Sequence, residues 1–142
     1  MRSRLSLPLA LSLAVALVIL PGAALAADTE FLFDALHGRS PYRAAWDKLM
    51  KLVQPTPDWL VAFNRNFDGV ASQIKSLTID GKPYEISFVC KPTDCAEHKF
   101  VVLFAANGEH AYGALGGKDN DPAFFGDPSQ AEQDALTKAV KN

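Results

Sequence analysis

The chain has 142 residues, with 14 basic and 16 acidic side chains and a formal net charge of −2. A negative sign argues against nucleic acid and anionic lipid as partners, because both attract basic surfaces, and it is compatible with a cationic partner. The length is sufficient for one domain with a modest core, so a second domain is not predicted.

The N-terminus has the pattern of a secretory signal peptide. Arg2 and Arg4 provide a positive start, residues 5–20 are almost wholly apolar, and residues 24–26 (Ala-Leu-Ala) form a small-x-small cleavage site. We therefore predict a signal peptide over residues 1–26.

An uncleaved membrane anchor is the alternative for this segment. It is disfavoured because Pro8 and Pro21 interrupt the apolar run, which falls short of the roughly 20 residues needed to span a bilayer. Residues 27–142 are then expected to form a single soluble domain that does not contact the membrane. Removal of Arg2 and Arg4 lowers the basic count from 14 to 12 against 16 acids, which gives a mature net charge of about −4.

Two helices are predicted at the start of the mature chain. The first begins in the acidic stretch at residue 28 and ends at Gly38. The second is capped by Ser40 with Pro41 in its first position, and Pro55 and Pro57 end it. Its apolar face has helical spacing and is made of Tyr42, Ala45, Trp46, Leu49, Met50 and Val53.

The middle of the chain predicts antiparallel strands. Residues 59–66 are expected to form a loop or an irregular edge strand. From residue 72 the hydrophobic period is two, and Asp80-Gly81 is a favoured hairpin turn before the alternating run of residues 84–90.

The strands continue after the second cysteine. Residues 100–106 are continuously apolar, as in a strand covered on both faces, and Asn107-Gly108 turns the chain into a strand over residues 110–115. A fifth strand is indicated near residues 69–74. The expected fold is α+β, an antiparallel sheet of about five strands with helices packed on one face.

The C-terminal region predicts a loop followed by a helix. Residues 116–127 are rich in Gly, Asp, Asn and Pro and are expected to be irregular. The helix is capped either by Ser129 in a capping box with Glu132 or by Asp127 with Pro128 in the first turn. Its buried face consists of Ala135, Leu136, Ala139 and Val140.

Cys90 and Cys95 are the only cysteines, and an exported chain is expected to join them in a disulfide. The ring lies between two predicted strands and contains a cation, a stiffening proline, a hydroxyl and an anion, namely Lys91, Pro92, Thr93 and Asp94. A stiff knob of this kind suits insertion into the cleft of another protein, because it loses little entropy on docking. A connector without any partner is the alternative.

Redox and zinc chemistry are disfavoured at this ring. Redox disulfides favour the tighter Cys-x-x-Cys spacing at the start of a helix, whereas four residues separate Cys90 and Cys95 between strands. Zinc binding by both cysteines with His98 and His110 would require thiolates, which an oxidising compartment removes.

Catalytic and calcium sites are also not predicted. No histidine lies in a Ser-His-Asp or His-Glu-x-x-His setting, and nothing in the spacing of Glu85 and Asp94 fixes them as a carboxylate pair. Residues 119–121 resemble the start of a calcium loop, but Pro122 and Ala123 lack the oxygen ligand and the glycine of that pattern. We expect a protein that is not an enzyme and binds no metal or cofactor.

Several features together resemble the Ivy family, the inhibitors of vertebrate lysozyme. They are the signal peptide, the helix with a central aromatic residue, the step from Pro57 to Trp59, the Gly-Lys-x-Tyr hairpin at residues 81–84 and Cys-Lys-Pro-Thr-Asp-Cys at residues 90–95. The resemblance implies a periplasmic bacterial protein, often a homodimer, whose ring enters the active-site cleft of chicken-type lysozyme. It also implies a second class of partner, the lytic transglycosylases of the bacterium itself.

The ring departs from the family motif at one position, where Thr93 replaces a histidine that reaches the catalytic carboxylates of the target. A hydroxyl donates one hydrogen bond but cannot become a cation, a difference of about 1–3 kcal/mol. The resemblance implies a role for each of the other motif residues. Cys90 and Cys95 close the ring covalently, and Lys91 offers a cation to an acidic cleft. Pro92 makes the ring rigid, and Asp94 is an acceptor that holds the ring or contacts the target.

The resulting hypothesis is a periplasmic inhibitor of lysozyme-type muramidases that plugs the glycan cleft with residues 91–94. Two alternatives remain. One is a regulator of endogenous lytic transglycosylases, and the other is a binding module that has lost lysozyme inhibition because of Thr93.

Overall fold

The computed structural model describes residues 30–142, so the predicted signal peptide and its cleavage site lie outside the described residues. The described part has four α-helices and a six-stranded antiparallel sheet, which confirms the predicted α+β class. In chain order the elements are α1 (Leu32–Gly38), α2 (Ser40–Met50), α3 (Asp58–Asn66), β1 (Val70–Ala71), β2 (Lys75–Ile79), β3 (Lys82–Cys90), β4 (Lys99–Ala105), β5 (His110–Gly116), β6 (Ala123–Phe125) and α4 (Gln130–Lys141). Within residues 30–142, every helix is too short or too polar to cross a bilayer.

The strands lie in the order β1-β3-β4-β5-β6, and β2 pairs with the other half of the β3 edge that β1 occupies. Asp80 and Gly81 have φ of 50° and 75°, the two positive values of a type I′ hairpin turn, and the predicted turn is confirmed. Asn107 and Gly108 turn the chain at the same end of the sheet. The loop that contains the two cysteines therefore lies at the opposite end, between the central strands β3 and β4.

Helices cover both faces of the sheet, which differs from the single covered face expected from the sequence. Strand β4 explains the difference, because its side chains alternate between the faces and all of them from Phe100 to Phe104 are buried. Phe100, Val102 and Phe104 pack with α1, α2 and α3. Val101 and Leu103 pack against Leu136 and Val140 of α4 on the other face.

The helices differ from the predictions at three places, the first being that α2 ends at Met50, ahead of Val53 and of the prolines that were expected to end it. Residues 58–66 form α3 and not a loop or edge strand, because Leu60 and Phe63 lie three apart on one face and are both fully buried. The second helix begins one residue early, so Arg39 occupies the cap position and Ser40 is already helical.

The region expected to be irregular, residues 116–127, contains the short strand β6, which pairs with residues 113–115 of β5. The last helix begins with the predicted capping box. The backbone N–H of Ser129 donates to Glu132 Oε2 at 2.6 Å, and the backbone N–H of Glu132 donates to Ser129 Oγ at 3.4 Å. The capping alternative with Asp127 is thereby excluded.

Candidate functional site

The Cys90–Cys95 disulfide closes a loop at the end of the two central strands and confirms the predicted pairing. The two Cα atoms are 4.9 Å apart, and Cys90 is fully buried as the last residue of β3. We call the four enclosed residues, Lys91–Asp94, the tip. Its first three residues are exposed and Asp94 is half-buried, so the tip forms part of the surface.

The backbone of the tip is a tight turn. The N–H of Asp94 donates to the carbonyl of Lys91 at 3.1 Å, with Pro92 and Thr93 between them. Thr93 directly follows Pro92 and has a φ of 66°. A proline at the second position of a turn and a positive φ at the third are typical of a type II turn. Glycine or asparagine usually occupies that position, so the β-branched Thr93 is held in a strained conformation.

His98 joins the base of the tip although it lies outside the ring in sequence. Its carbonyl accepts from the Lys91 N–H at 2.9 Å, and its own N–H donates to the Asp94 carbonyl at 3.2 Å. The first bond extends the β3–β4 pairing by one step beyond the strands, and the second closes a turn within the loop. The tip is therefore fixed by backbone hydrogen bonds as well as by the disulfide.

A second segment supports the loop from the side. The N–H of Lys118 donates to the carbonyl of Ala96 at 2.8 Å. Gly117 is buried against the same stretch, and a Cβ atom at this position would lie 2.2 Å from the carbonyl oxygen of Glu97. Only glycine allows this close backbone approach.

The charged side chains of the tip are connected through Asp94. Its Oδ2 accepts a hydrogen bond from His98 Nδ1 at 2.8 Å and lies 3.8 Å from Lys91 Nζ. The side chains of Lys91, Asp94 and His98 are 45%, 38% and 49% exposed, so solvent weakens both ion pairs. Asp94 thus acts within the loop, and Lys91 and His98 are the groups it orients.

His98 was named from the sequence only as a disfavoured zinc ligand, and the structure adds it to the tip. The available signal was the spacing of Asp94 and His98, four residues apart immediately after the ring. The structure brings the two side chains together through a turn and not through a helix.

Glu85 does not pair with Asp94 and lies towards the opposite end of β3. Its carboxylate accepts hydrogen bonds from Arg39 at 2.9 Å and from the hydroxyl of Tyr42, and Arg39 also pairs with Glu30. Burial and the hydrogen bond to Glu85 raise the pKa of Tyr42 to about 12. This cluster links the start of the described chain and α2 to the sheet, and it holds Glu85 in ionic and hydrogen-bonded contacts away from Asp94.

The side chains considered for metal binding are not assembled. Both cysteines are oxidised, and His98 lies near the tip, whereas His110 begins β5 at the other end of the sheet. Within residues 30–142, no group of three or more His, Cys, Asp or Glu side chains is placed to hold a metal ion. In the loop that resembles a calcium site, Asp121 lies 3.6 Å from Lys141 Nζ.

Comparisons with known proteins agree with the motif. The sequence profile of the family described as Inhibitor of vertebrate lysozyme (Ivy) matches residues 41–142. A Pseudomonas aeruginosa protein named Inhibitor of vertebrate lysozyme is 27% identical over 124 residues, which is 78% of each chain.

Two uncharacterized proteins are also similar. One from Pseudomonas aeruginosa is 31% identical over 87 residues, and one from Yersinia pestis is 26% identical over 89 residues. These matches cover 61% and 63% of this chain but only 54% and 55% of the relatives, so this chain spans about half the length of those two proteins.

The family match extends from the start of α2 to the C-terminus and includes the tip, the sheet and α4. A family described as inhibitors consists of proteins that bind an enzyme and are not enzymes themselves, in agreement with the expectation from the sequence. The matched region covers well over half of the chain. The chain therefore belongs to the Ivy family, the inhibitors of vertebrate lysozyme.

Proposed function

We propose that this protein inhibits lysozyme-type muramidases and that its tip enters the glycan cleft of the target enzyme. The observation that carries the proposal is the exposed tip, which projects from the end of the two central strands and is closed by the disulfide. Family membership supports the class of target, because the Pseudomonas aeruginosa relative is named for inhibition of vertebrate lysozyme.

The tip suits this role because its conformation is fixed before binding. Ordering a flexible side chain at an interface costs about 0.5–1.5 kcal/mol, and a closed ring with a proline avoids part of that cost. The cleft of a glycoside hydrolase carries acidic side chains on both sides of the scissile bond. Lys91 supplies an exposed cation in the tip, and a tip that occupies the cleft would keep the glycan substrate out of it.

Charge and export agree with an encounter outside the cytoplasm. The mature net charge of about −4 would steer the protein towards a cationic host lysozyme. The signal-peptide pattern and the disulfide support action in the periplasm, because disulfides persist in that oxidising compartment. Assembly as a homodimer is a further expectation from the family resemblance.

Thr93 favours a second target class. A hydroxyl makes one neutral hydrogen bond to a carboxylate, where a protonated histidine would make a charge-assisted one. A lytic transglycosylase, which works with a single acidic catalytic residue, would tolerate Thr93 better than an enzyme with two. A binding module that has lost inhibition is the remaining alternative.

Lysis of cell walls, followed by turbidity, tests the proposal with the mature protein and either enzyme. Lys91→Glu should weaken inhibition at least about tenfold, because it places an anion before an acidic cleft. Lys82→Glu is the matched control, since Lys82 is also exposed but begins β3 at the opposite end of the sheet. The control should inhibit within about twofold of the unchanged protein.

Each outcome selects one function. Absence of lysozyme inhibition at high micromolar protein would remove lysozyme as the target, and inhibition of the transglycosylase alone would establish the second class. Capture of an envelope partner that is unaffected by Lys91→Ala and Asp94→Ala would indicate a binding module that does not use its tip.

A further inference from the structure

We infer that His98 is part of the inhibitory surface, where it acts as an ionisable contact residue that Asp94 orients towards a carboxylate of the target. The inference rests on the proposed function but concerns a residue outside the cysteine-bounded motif. It extends the contact surface from the four tip residues to the loop that follows them.

The attachment of His98 to the tip is the first argument. Three hydrogen bonds join it to the tip, two through its backbone and one from Nδ1 to Asp94 Oδ2 at 2.8 Å. Because a carboxylate only accepts, Asp94 fixes the proton on Nδ1 and leaves Nε2 as the nitrogen that can bind a partner. The imidazole is nevertheless 49% exposed, so a target enzyme that receives the tip can reach it.

The space beside His98 is the second argument. A shallow cavity of about 220 Å³ flanks the loop, and His98 and Glu97 line one of its sides. Trp59, at the start of α3, and Asn120 line the rest with Pro57, Leu115, Gly116 and Gly117. The half-buried indole provides a rigid wall, and exposed tryptophans are common anchors in interfaces. A side chain from the rim of the cleft therefore has room next to the imidazole.

A carboxylate is the partner that suits a protonated His98, because a cationic N–H makes a charge-assisted hydrogen bond to it. Lys91 and Asp94 of the tip and Glu97 on the cavity wall are the charged side chains beside His98, and they sum to −1 while the imidazole is neutral. The other side chains that line the cavity are uncharged, and Asp58, Lys118 and Asp119 lie in the flanking segments without lining it. Protonation of His98 brings the local sum to zero and provides a charge-assisted donor, which is roughly twice as strong as a neutral one. A contact made by the protonated imidazole should strengthen as the pH falls.

Binding of chicken-type lysozyme to the immobilised mature protein at pH 5.5, 6.5 and 8.0, at fixed ionic strength, tests the inference. His98→Gln keeps an N–H group but cannot be protonated. It should raise Kd about five- to tenfold at pH 5.5 and less than about twofold at pH 8.0. His110→Gln is the matched control, an exposed histidine at the far end of the sheet, and should leave Kd unchanged at every pH.

A second variant keeps a positive charge at all three pH values. His98→Arg should bind at pH 8.0 at least as tightly as the unchanged protein, because the cation no longer depends on protonation. Thermal unfolding of each variant verifies that the fold is retained.

The outcomes separate this inference from the proposed function. Lysozyme binding by the unchanged protein with the same pH profile in His98→Gln would overturn the inference and leave the proposed function intact. A loss in His98→Gln that is equal at every pH would reduce His98 to a structural support and also overturn it. Absence of lysozyme binding at every pH would overturn the inference and remove lysozyme as the target, and the turbidity assay would then decide on the transglycosylase.

Discussion

Replacement of Thr93 by histidine changes the tip in two ways that can be measured separately. Thr93 has a φ of 66°, in the left-handed region that costs an L-residue about 1–2 kcal/mol. Histidine and asparagine occupy this region more readily than a β-branched residue. We expect Thr93→His and Thr93→Asn each to raise the free energy of unfolding by about 1 kcal/mol.

Thermal unfolding measures the first effect. For a domain of about 110 residues, 1 kcal/mol corresponds to a rise in Tm of about 4 °C. Both variants should show it, because the gain depends on the backbone conformation and not on the chemistry of the side chain. Thr78→Asn, an exposed position in β2, is the control and should not raise Tm, since threonine suits a strand better than asparagine.

Inhibition of chicken-type lysozyme measures the second effect. Only Thr93→His supplies an imidazole that can become a cation in an acidic cleft. A charge-assisted hydrogen bond of about 1–3 kcal/mol predicts inhibition about ten- to a hundredfold tighter than in the unchanged protein. Thr93→Asn, which relaxes the turn without adding a cation, should stay within about threefold.

Two results would refute this reasoning. Equal gains in inhibition from Thr93→Asn and Thr93→His would show that relaxation of the turn, and not the imidazole, controls affinity. An unchanged Tm in both variants would show that the left-handed conformation of Thr93 carries no strain.

Three further changes test the scaffold. Replacing Cys90 and Cys95 together by alanine should lower the free energy of unfolding in urea by at least about 2 kcal/mol, the entropy term for a loop of about six residues, and should weaken inhibition. Gly117→Ala should lower Tm by several degrees, because the added methyl group would lie 2.2 Å from a carbonyl oxygen. Glu132→Gln should cost about 1–2 kcal/mol at pH 7 by weakening the capping box and the 2.7 Å hydrogen bond from Tyr84. Burial raises the pKa of Glu132, but its hydrogen bonds lower the pKa by more, so the net pKa is lowered. The stability that the carboxylate contributes is therefore lost as the pH falls below about 4.5. Glu132→Gln should flatten this acid limb, the fall in the free energy of unfolding at low pH.

Each of these changes has a control and a contradictory result. Full inhibition by the reduced or disulfide-free protein would show that the tip does not require covalent closure. Gly38→Ala, with open space around the added Cβ atom, should change Tm little. If Gly117→Ala lowered Tm no more than Gly38→Ala, the close approach to Glu97 would not explain the glycine at position 117. Glu109→Gln removes an exposed carboxylate and should leave the acid limb unchanged. An unchanged acid limb in Glu132→Gln would show that other groups cause the loss of stability at low pH.

Local signals accounted for the parts of the fold that were predicted. The Asp80-Gly81 turn, the alternation in β3 and the capping box at Ser129 each depend on residues within a few positions of one another. The continuous apolar run of β4 also indicated burial on both faces. The prediction of a single covered face was wrong because the sequence of an amphipathic helix such as α4 does not show which face of a sheet the helix packs on.

The remaining features depend on distant parts of the chain. Strand β6 has three residues and exists through its pairing with β5, which no local pattern reports. The helix over residues 58–66 follows two prolines and has five consecutive apolar residues, so the sequence shows no helical period there. His98 reaches the tip because the β3–β4 register places it opposite Lys91, which only the paired strands determine.

Thr93 is a site at which an inhibitor of this family can change its sequence during evolution without loss of the bonds that hold the tip. The bonds that hold the tip run between Lys91 and Asp94, between Lys91 and His98 and between the two cysteines, and Thr93 is exposed. Under the proposed mode of binding, a substitution at Thr93 would change the surface that the target contacts and keep the hydrogen bonds and the disulfide that hold the tip. Saturation of this one site would yield a panel of proteins with a common architecture and graded preferences among the enzymes that cut cell walls.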